Sequence, residues 1–214
     1  MRLVMLGPPG AGKGTQARWL GKELKTPHIS TGLIFRDAMK AGTPLGLQAK
    51  ALTDKGNLVP DEIVIGIVAE RLAAEDCRER GFILDGFPRT LPQAMALDRW
   101  LSSHALALDR VIELSVDAET IVRRLSGRLL CNGCGKDYNI HFRRPRIDGI
   151  CDYCAGSLTR RADDEPDAIR RRLEVDAEKT RPLHEYYLVQ GSLVVMDGAG
   201  TIEEVFRSVL GELE

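Results

Sequence analysis

The chain has 214 residues, of which 43% are hydrophobic and 29% are charged. This length is enough for one sizeable core with a small appended module, and it is too short for two ordinary enzyme domains. The formal net charge of −1 excludes a protein whose entire surface binds DNA or an anionic membrane, because such a surface must be basic.

Short apolar segments alternate with helical patterns along the chain. Four segments bounded by turn residues are predicted to be buried strands: RLVMLG, GFILDG, DRVIELSV and SLVVMDG. Between them lie stretches with apolar residues three and four positions apart, such as IVIGIVAERLAAE, which predict helices. This alternation predicts an α/β fold with a central, mostly parallel sheet flanked by helices, and with ligands at the carboxyl ends of its strands.

The first predicted strand runs into a glycine-rich segment, GPPGAGKGTQ. Its glycines let successive backbone N–H groups turn inward, and Lys13 adds a mobile positive charge at the start of a helix. The segment departs from the usual P-loop by one step, because Gly14 follows the lysine and the hydroxyl comes at Thr15. A chance glycine-rich turn would not supply strand, glycines, lysine and helix in this order, so we predict a site for nucleotide phosphates.

A second polar turn, in GFILDGFPRTLPQA, follows the second predicted strand. Asp85 ends that strand, where a carboxylate is well placed to hold water on a magnesium ion. Arg89 follows the turn as a bidentate clamp for phosphate. An aspartate at a strand end is often only a helix cap, but this turn also contains Gly86, Pro88 and Gln93.

Two CxxC pairs separated by sixteen residues contain four of the five cysteines: Cys131, Cys134, Cys151 and Cys154. This spacing lets two turns meet around one tetrahedral ion. Four thiolates without a histidine favour a closed, structural zinc site over a catalytic one. Metal ligation of this kind needs reduced thiols, and no run of eighteen apolar residues or signal peptide is visible, so we expect a cytoplasmic protein with no membrane partner.

The cysteine segment also has features of a nucleic-acid-binding zinc ribbon. HFRRPR lies inside it with Tyr138 and Tyr153 nearby, and residues 122–172 contain twelve Lys and Arg against seven Asp and Glu. Such a ribbon would offer cations for phosphates and rings for stacking. The alternative to a nucleic-acid-binding ribbon is a basic surface that is simply exposed to solvent. The acidic remainder of the chain favours this alternative, because it would weaken the binding of a polyanion.

Five motifs together resemble the adenylate kinase family, of the long-lid bacterial type: GPPGAGKGTQA, STG with Arg36 five residues after Thr31, DGFPRTLPQA, RRLSGR and DDEPDAIRRRL. The resemblance runs from Arg2 to about Leu210, and DGFPR together with this P-loop variant is highly specific to nucleoside monophosphate kinases. It implies reversible, Mg²⁺-dependent transfer of the terminal phosphoryl group of ATP to AMP, giving two ADP, by a monomer that maintains adenine nucleotide balance. It also implies no nucleic-acid partner.

The resemblance implies three groups of site residues. Those implied for ATP are Gly10, Ala11, Gly12, Lys13, Gly14, Thr15, Arg128, Asp137, Tyr138 and the backbone of Gly200. Those implied for AMP are Thr31, Arg36, Asn57, Leu58, Val59, Gly86, Phe87, Pro88, Arg89, Gln93, Arg161 and Arg172. The implied catalytic charges are Lys13, Arg89, Arg124, Arg128, Arg161 and Arg172, and the water shell of Mg²⁺ would be held by Asp85, Asp163 and Asp164.

The resemblance also implies three domains. Residues 1–29, 61–126 and 165–214 would form the P-loop core, residues 30–60 an AMP-binding flap, and residues 127–164 a lid that the zinc holds together. This placement favours a structural zinc over a nucleic-acid ribbon, and HFRRPR then becomes a solvated face of the lid. A P-loop ATPase or switch that hydrolyses ATP without an acceptor is the remaining hypothesis.

Individual residues refine the resemblance. Thr31 favours AMP, because alanine usually replaces it in related uridylate and cytidylate kinases, although it could equally be the N-cap of the following helix. Leu33 stands where the family usually has aspartate, which removes one carboxylate from the neighbourhood of the metal. The four histidines lack partners at catalytic spacing and are expected to be surface or capping residues: His28, His104, His141 and His184.

Overall fold

The structure of the chain, a computed structural model, describes residues 1–53, 59–160 and 164–213, apart from the side chains of Leu33, Arg36, Lys40 and Thr53. Four predicted site residues lie outside the described residues, namely Asn57, Leu58, Arg161 and Asp163. The chain divides into two compact units. Unit 1 comprises Met1–Gly7, Gly12–Ser115 and Glu178–Glu214, and unit 2 comprises Pro8–Ala11 and Val116–Ala177. The division into core, flap and lid stays a prediction.

Strands and helices are numbered along the chain. The strands are β1 (Arg2–Leu6), β2 (His28–Ser30), β3 (Phe82–Asp85), β4 (Arg110–Ser115), β5 (Arg128–Cys131), β6 (Asp137–Asn139), β7 (Leu158–Thr159) and β8 (Leu193–Asp197). The helices are α1 (Lys13–Glu23), α2 (Thr31–Ala41), α3 (Pro44–Thr53), α4 (Asp61–Leu72), α5 (Glu75–Arg80), α6 (Leu91–Ser103), α7 (Ala118–Ser126), α8 (Pro166–Val189) and α9 (Ile202–Leu213).

A parallel sheet forms the centre of unit 1, with the strand order β2-β3-β1-β4-β8. Its inner strands are apolar on both faces, as a parallel sheet covered by helices requires, and Leu3, Val4, Ile83 and Leu84 are fully buried. The four predicted strands are therefore confirmed as β1, β3, β4 and β8. Strand β2 was not predicted, because three residues with two polar side chains give no apolar run.

The core of unit 1 packs helix residues against the sheet, including Val68, Leu72, Leu97, Leu183 and Tyr187. Helix α6 begins at a fixed point, because the Thr90 hydroxyl accepts a hydrogen bond from the backbone N–H of Gln93 and a proline occupies the first turn. This cap holds Gln93 in the first turn of α6, next to the carboxyl end of β3 in sequence.

Tyr187 is fully buried in this core, and its hydroxyl has no hydrogen-bond partner among the described residues. Burial raises the pKa of Tyr187, so the hydroxyl stays neutral. We expect Tyr187→Phe to raise the free energy of unfolding by about 1 kcal/mol, because it removes a desolvated hydroxyl that gains no hydrogen bond in the folded protein. The melting temperature should rise by about 2–4 °C, measured by differential scanning calorimetry.

Tyr186→Phe is the matched control for this substitution. The Tyr186 hydroxyl donates to Asp98 Oδ2 at 2.7 Å, so losing it should lower stability. If Tyr187→Phe also lowers the melting temperature, the Tyr187 hydroxyl has a bonding partner such as a buried water, and the expectation is wrong.

Unit 2 contains α7, an antiparallel sheet of order β6-β5-β7, and the first part of α8. One small apolar cluster joins Ile121 and Leu125 of α7 to Ile169 of α8. The small sheet has a separate cluster, whose buried members are Cys131, Tyr138, Cys151 and Leu158. Four buried residues are too few to stabilise a segment of this size by hydrophobic burial alone. The segment therefore needs a further source of stability, such as a bound metal ion.

None of the helices in the described part of the chain has the length and apolar character needed to cross a bilayer.

Candidate active site and cysteine cluster

The predicted phosphate loop has the backbone geometry that its glycines permit. Gly7, Gly10 and Gly12 have φ angles of 123°, 87° and 102°, a region that residues with a side chain rarely adopt. Helix α1 starts at Lys13, directly after Gly12, and has no side-chain cap, and the positive end of the helix dipole at this N-terminus favours an anion. The Lys13 ammonium donates to the carbonyl oxygen of Gly7 at 2.5 Å, which keeps the charge beside the loop.

The structure explains why glycine follows the lysine. A Cβ atom at position 14 would lie 2.9 Å from Oδ2 of Asp85, closer than real Cβ contacts allow. The missing side chain therefore makes room for the carboxylate that ends β3, beside the first turn of α1. This arrangement brings a predicted ligand for the Mg²⁺ water shell next to the helix that carries Lys13.

His28 in β2 is also close to this carboxylate. Its Nε2 lies 3.5 Å from Asp85 Oδ2, and the two side chains are only 14% and 15% exposed. The two groups are close but are not aligned as a hydrogen bond, since Nε2 is buried without a hydrogen-bond partner among the described residues. The expectation that His28 is a surface or capping residue is therefore wrong.

Thr31 and Arg89 meet at the backbone of Gly86. The Thr31 hydroxyl donates to the Gly86 carbonyl oxygen at 3.1 Å, and Arg89 Nε donates to the same oxygen at 2.8 Å. Gly86 has a φ of 82°, and a Cβ there would lie 2.8 Å from Thr31 Oγ1 and 3.0 Å from Arg89 Nη2. Ser30 is the N-cap of α2 and Thr31 its first residue, so the Thr31 hydroxyl bonds the turn and does not cap the helix.

The Gln93 side chain is held at both ends of its amide. Gln93 is 5% exposed, its Oε1 accepts from the backbone N–H of Arg89 at 2.8 Å, and its Nε2 donates to Asp61 Oδ1 at 2.6 Å. The other carboxylate oxygen of Asp61 accepts from the Thr90 hydroxyl at 2.6 Å. Sequence analysis did not identify Asp61, because an acidic residue after a proline at a helix start is an ordinary feature of helices.

Other described residues that are predicted to contact AMP lie in the turn after β3, before α4 and in α2. Phe87 and Pro88 are buried and are joined by a cis peptide bond, while Val59 is partly exposed before α4. Arg36 lies in α2. The structure therefore brings Thr31, Gly86, Arg89 and Gln93 together around the turn that contains Phe87 and Pro88.

Two predicted site residues of unit 2 bond to each other. Arg128 Nε and Nη2 donate to the two carboxylate oxygens of Asp164 at 2.9 and 2.7 Å, and Asp164 is 4% exposed. Arg124, on α7, donates from Nη1 to the carbonyl oxygen of Ala11 at 3.3 Å. Arg172 lies on α8 with its side chain partly exposed. Among its described residues, unit 2 thus contains three arginines of the predicted set.

Three further residues are predicted to contact ATP. Asp137 is partly exposed at the start of β6, and Gly200 is exposed after β8. Tyr138 is 5% exposed, its hydroxyl lies 3.4 Å from Cys151 Sγ, and it accepts from the backbone N–H of Asp152. Its side chain belongs to the core of the small sheet, so a nucleotide could reach Tyr138 only through its main chain.

The four paired cysteines form one cluster, as predicted. Their sulfur atoms all lie within 4.8 Å of one another, with 3.3 Å between Cys131 and Cys154 and 3.6 Å between Cys134 and Cys151. Four thiolates around a tetrahedral zinc ion, with zinc–sulfur bonds of about 2.3 Å, would be about 3.8 Å apart. The donor set and its spacing therefore fit zinc.

Each CxxC turn donates backbone hydrogen bonds to a sulfur. The N–H groups of Gly133 and Cys134 point at Cys131 Sγ, at 3.3 and 3.5 Å, and the N–H of Tyr153 lies 3.4 Å from Cys151 Sγ. The bond from Cys134 is the main cause that lowers the pKa of the Cys131 thiol. The Tyr138 hydroxyl lowers the pKa of Cys151 to about 6. At Cys131 and Cys151 these donors favour the thiolate, the form that binds metal, whereas the pKa of Cys154 is raised to about 12.

Comparison with known proteins agrees with this geometry. The family model described as adenylate kinase matches residues 5–192. A curated adenylate kinase from Carboxydothermus hydrogenoformans is 50% identical over 100% of both chains. One from Salinispora tropica is 53% identical over 96% of this chain and 94% of its own, and one from Methanocella arvoryzae is 49% identical over 98% and 96%. The chain therefore belongs to the adenylate kinase family of nucleoside monophosphate kinases, and its α/β fold is the P-loop fold of that family.

Proposed function

We propose that this chain transfers the terminal phosphoryl group of ATP to AMP, reversibly and with Mg²⁺, to give two ADP. The observation that carries the proposal is the junction at Gly86, where Thr31 and Arg89 bond to one carbonyl oxygen. Thr31, which is suited to contact a base, and Arg89, which is suited to bind a phosphate, are thereby held at a fixed separation. That is what recognition of a nucleoside monophosphate requires.

Lys13 and the backbone of residues 10–15 would hold the phosphates of ATP. Asp85 would hold water molecules of the Mg²⁺ that accompanies ATP, and its place beside Gly14 supports that role. The acceptor is already an anion, so the reaction needs no general base. What the chain supplies is position and positive charge.

The arginines of unit 2 would neutralise the charge that develops during transfer. Arg124, Arg128, Arg161 and Arg172 are the proposed set, and Arg89 and Arg36 would bind the AMP phosphate. Asp164 bonds Arg128 in this structure, so a phosphate group would compete with a carboxylate for the same guanidinium. Asp164, with Asp163, is also proposed to hold metal-bound water.

The four clustered cysteines would hold one structural zinc ion. A zinc ion held by these residues would supply a structural crosslink between the two CxxC turns, because four cysteine ligands are typical of structural and not of catalytic zinc sites. Because its ligands are reduced thiols, we place the enzyme in a reducing compartment, the cytoplasm. We also propose that it acts as a monomer, which light scattering would check.

The decisive assay measures ADP formed from Mg·ATP when AMP, dAMP, GMP, CMP and UMP are offered in turn, beside a control without acceptor. We expect strong activity with AMP and weaker activity with dAMP only. Preference for a pyrimidine would overturn the roles of Thr31 and Gln93 but keep the mechanism. ADP formed equally without any acceptor would instead identify an ATPase, and no ADP at all would reopen the nucleic-acid hypothesis.

A further inference from the structure

Asp61, the first residue of α4, contacts both the N-cap residue of α6 and a residue in its first turn. Its carboxylate accepts from Gln93 Nε2 and from the Thr90 hydroxyl, both at 2.6 Å. Short hydrogen bonds to a carboxylate are about twice as strong as those between neutral groups. We propose that Asp61 is a positioning residue that fixes the orientation of the Gln93 amide and so sets selectivity for the base of the monophosphate; this rests on the proposed function, in which Gln93 contacts that base.

The orientation of the amide matters because its two ends have opposite hydrogen-bonding character. A glutamine amide has two donor hydrogens and two acceptor lone pairs, and Asp61 and the Arg89 N–H each take one. One N–H and one lone pair remain for a ligand, on defined ends of the group. Adenine offers an exocyclic amino donor where guanine offers a carbonyl acceptor. An amide held in one orientation therefore distinguishes these bases, and an amide that rotates does not.

The Asp61 carboxylate and the Arg89 N–H together fix which end of the Gln93 amide is the oxygen. The Arg89 N–H can bond only the oxygen of the amide, and Asp61 can bond only its nitrogen, so both contacts select the same rotamer. Gln93 is 5% exposed, which leaves water little access to replace either contact. Without Asp61 one end of the buried amide would lose its partner, and the preference for that rotamer would weaken.

A structural role for Asp61 predicts different behaviour. Asp61 also lies in the first turn of α4, where a negative charge stabilises the helix, and it supports Thr90, the N-cap of α6. Both effects change stability without favouring one base over another. Glu62, the exposed carboxylate beside it in the same turn, is the matched control for helix charge, because Glu62→Ala removes charge there without touching Gln93.

The test is a double-mutant cycle between Asp61→Ala and Gln93→Ala, with steady-state kinetics in AMP, ATP and GMP. We expect Asp61→Ala to raise the KM for AMP about tenfold and to lower the ratio of AMP to GMP activity, with the KM for ATP changed less than about twofold. In the Gln93→Ala background the same substitution should change the KM for AMP less than about twofold. Asp61→Asn should restore selectivity, since its carboxamide oxygen can accept from Gln93 and its nitrogen can donate to Thr90.

Three results would overturn the inference. They are an Asp61→Ala effect that is equal in both backgrounds, a parallel rise in the KM for ATP, and an equal effect of Glu62→Ala. If Gln93→Ala alone leaves the KM for AMP unchanged, the base contact proposed for Gln93 is wrong and the role of Asp61 is wrong with it. If Asp61→Ala does not fold, Asp61→Ser keeps a polar helix start but is too short to hold the amide, and the same cycle applies.

Discussion

Replacing Arg89 with alanine is expected to lower turnover at least about a hundredfold, a loss of about 2.7 kcal/mol in transition-state stabilisation, while the fold is retained. Arg89 is exposed, so its removal leaves no cavity in the core. Its Nε bond to the Gly86 carbonyl oxygen, at 2.8 Å, anchors the base of the guanidinium and orients the terminal nitrogens as a fork. Steady-state kinetics with saturating AMP and ATP would measure the loss.

Two further variants sharpen this experiment. Arg89→Lys keeps the charge but cannot make a bidentate contact, so its turnover should fall between those of wild type and Arg89→Ala. Arg110→Ala removes another exposed arginine, one that lies at the start of β4 and bonds the Asp109 carbonyl oxygen, and should leave turnover unchanged. Near-normal turnover of Arg89→Ala, with an unchanged circular dichroism spectrum, would remove Arg89 from the active site.

Removing the proposed zinc ion is expected to lower thermal stability far more than activity at low temperature. A ligand present at about a thousand times its Kd stabilises a protein by about 4 kcal/mol, and about 1 kcal/mol shifts the melting temperature of a domain of this size by about 2–4 °C. We therefore expect chelation to lower the melting temperature by about 10 °C. The physical reason is that the hydrophobic cluster of the small sheet in unit 2 is small: its buried members among the described residues are Cys131, Tyr138, Cys151 and Leu158.

The measurement combines metal analysis, calorimetry and assays at low temperature, all under reducing conditions. Cys134→Ser should lose zinc and stability together, whereas Cys77→Ser should retain about one zinc per chain, because Cys77 is buried in α5 outside the cluster. Equal losses of stability and low-temperature activity, or no loss of either, would contradict a structural role for the metal.

Features governed by neighbouring residues could be predicted from the sequence. The glycines of the phosphate loop require a particular backbone, and Gly7, Gly10 and Gly12 adopt it. Apolar runs bounded by turns became strands of the parallel sheet, and two CxxC turns came together at one cluster. In each case the physical cause is local: backbone freedom at glycine, burial of a continuous apolar segment, or the short reach of a CxxC turn.

The motifs also indicated the adenylate kinase family, which the comparisons establish. Assignments of individual side chains to ATP, AMP and Mg²⁺ stay predictions, because they depend on groups outside the chain. The sequence alone could name Arg128 and Asp164 as site residues, but it could not show that they bond each other.

The partners of polar side chains were decided by the tertiary structure. The sequence showed Gly14 as a departure from the usual P-loop, and only the position of Asp85 explains it. Thr31 could have capped its own helix, yet its hydroxyl bonds Gly86, 55 residues away in the chain. Asp61 and Gln93 are separated by 32 residues. Contacts over such separations depend on how strands and helices pack, so a local pattern determines which groups are present and the packed fold determines which of them meet.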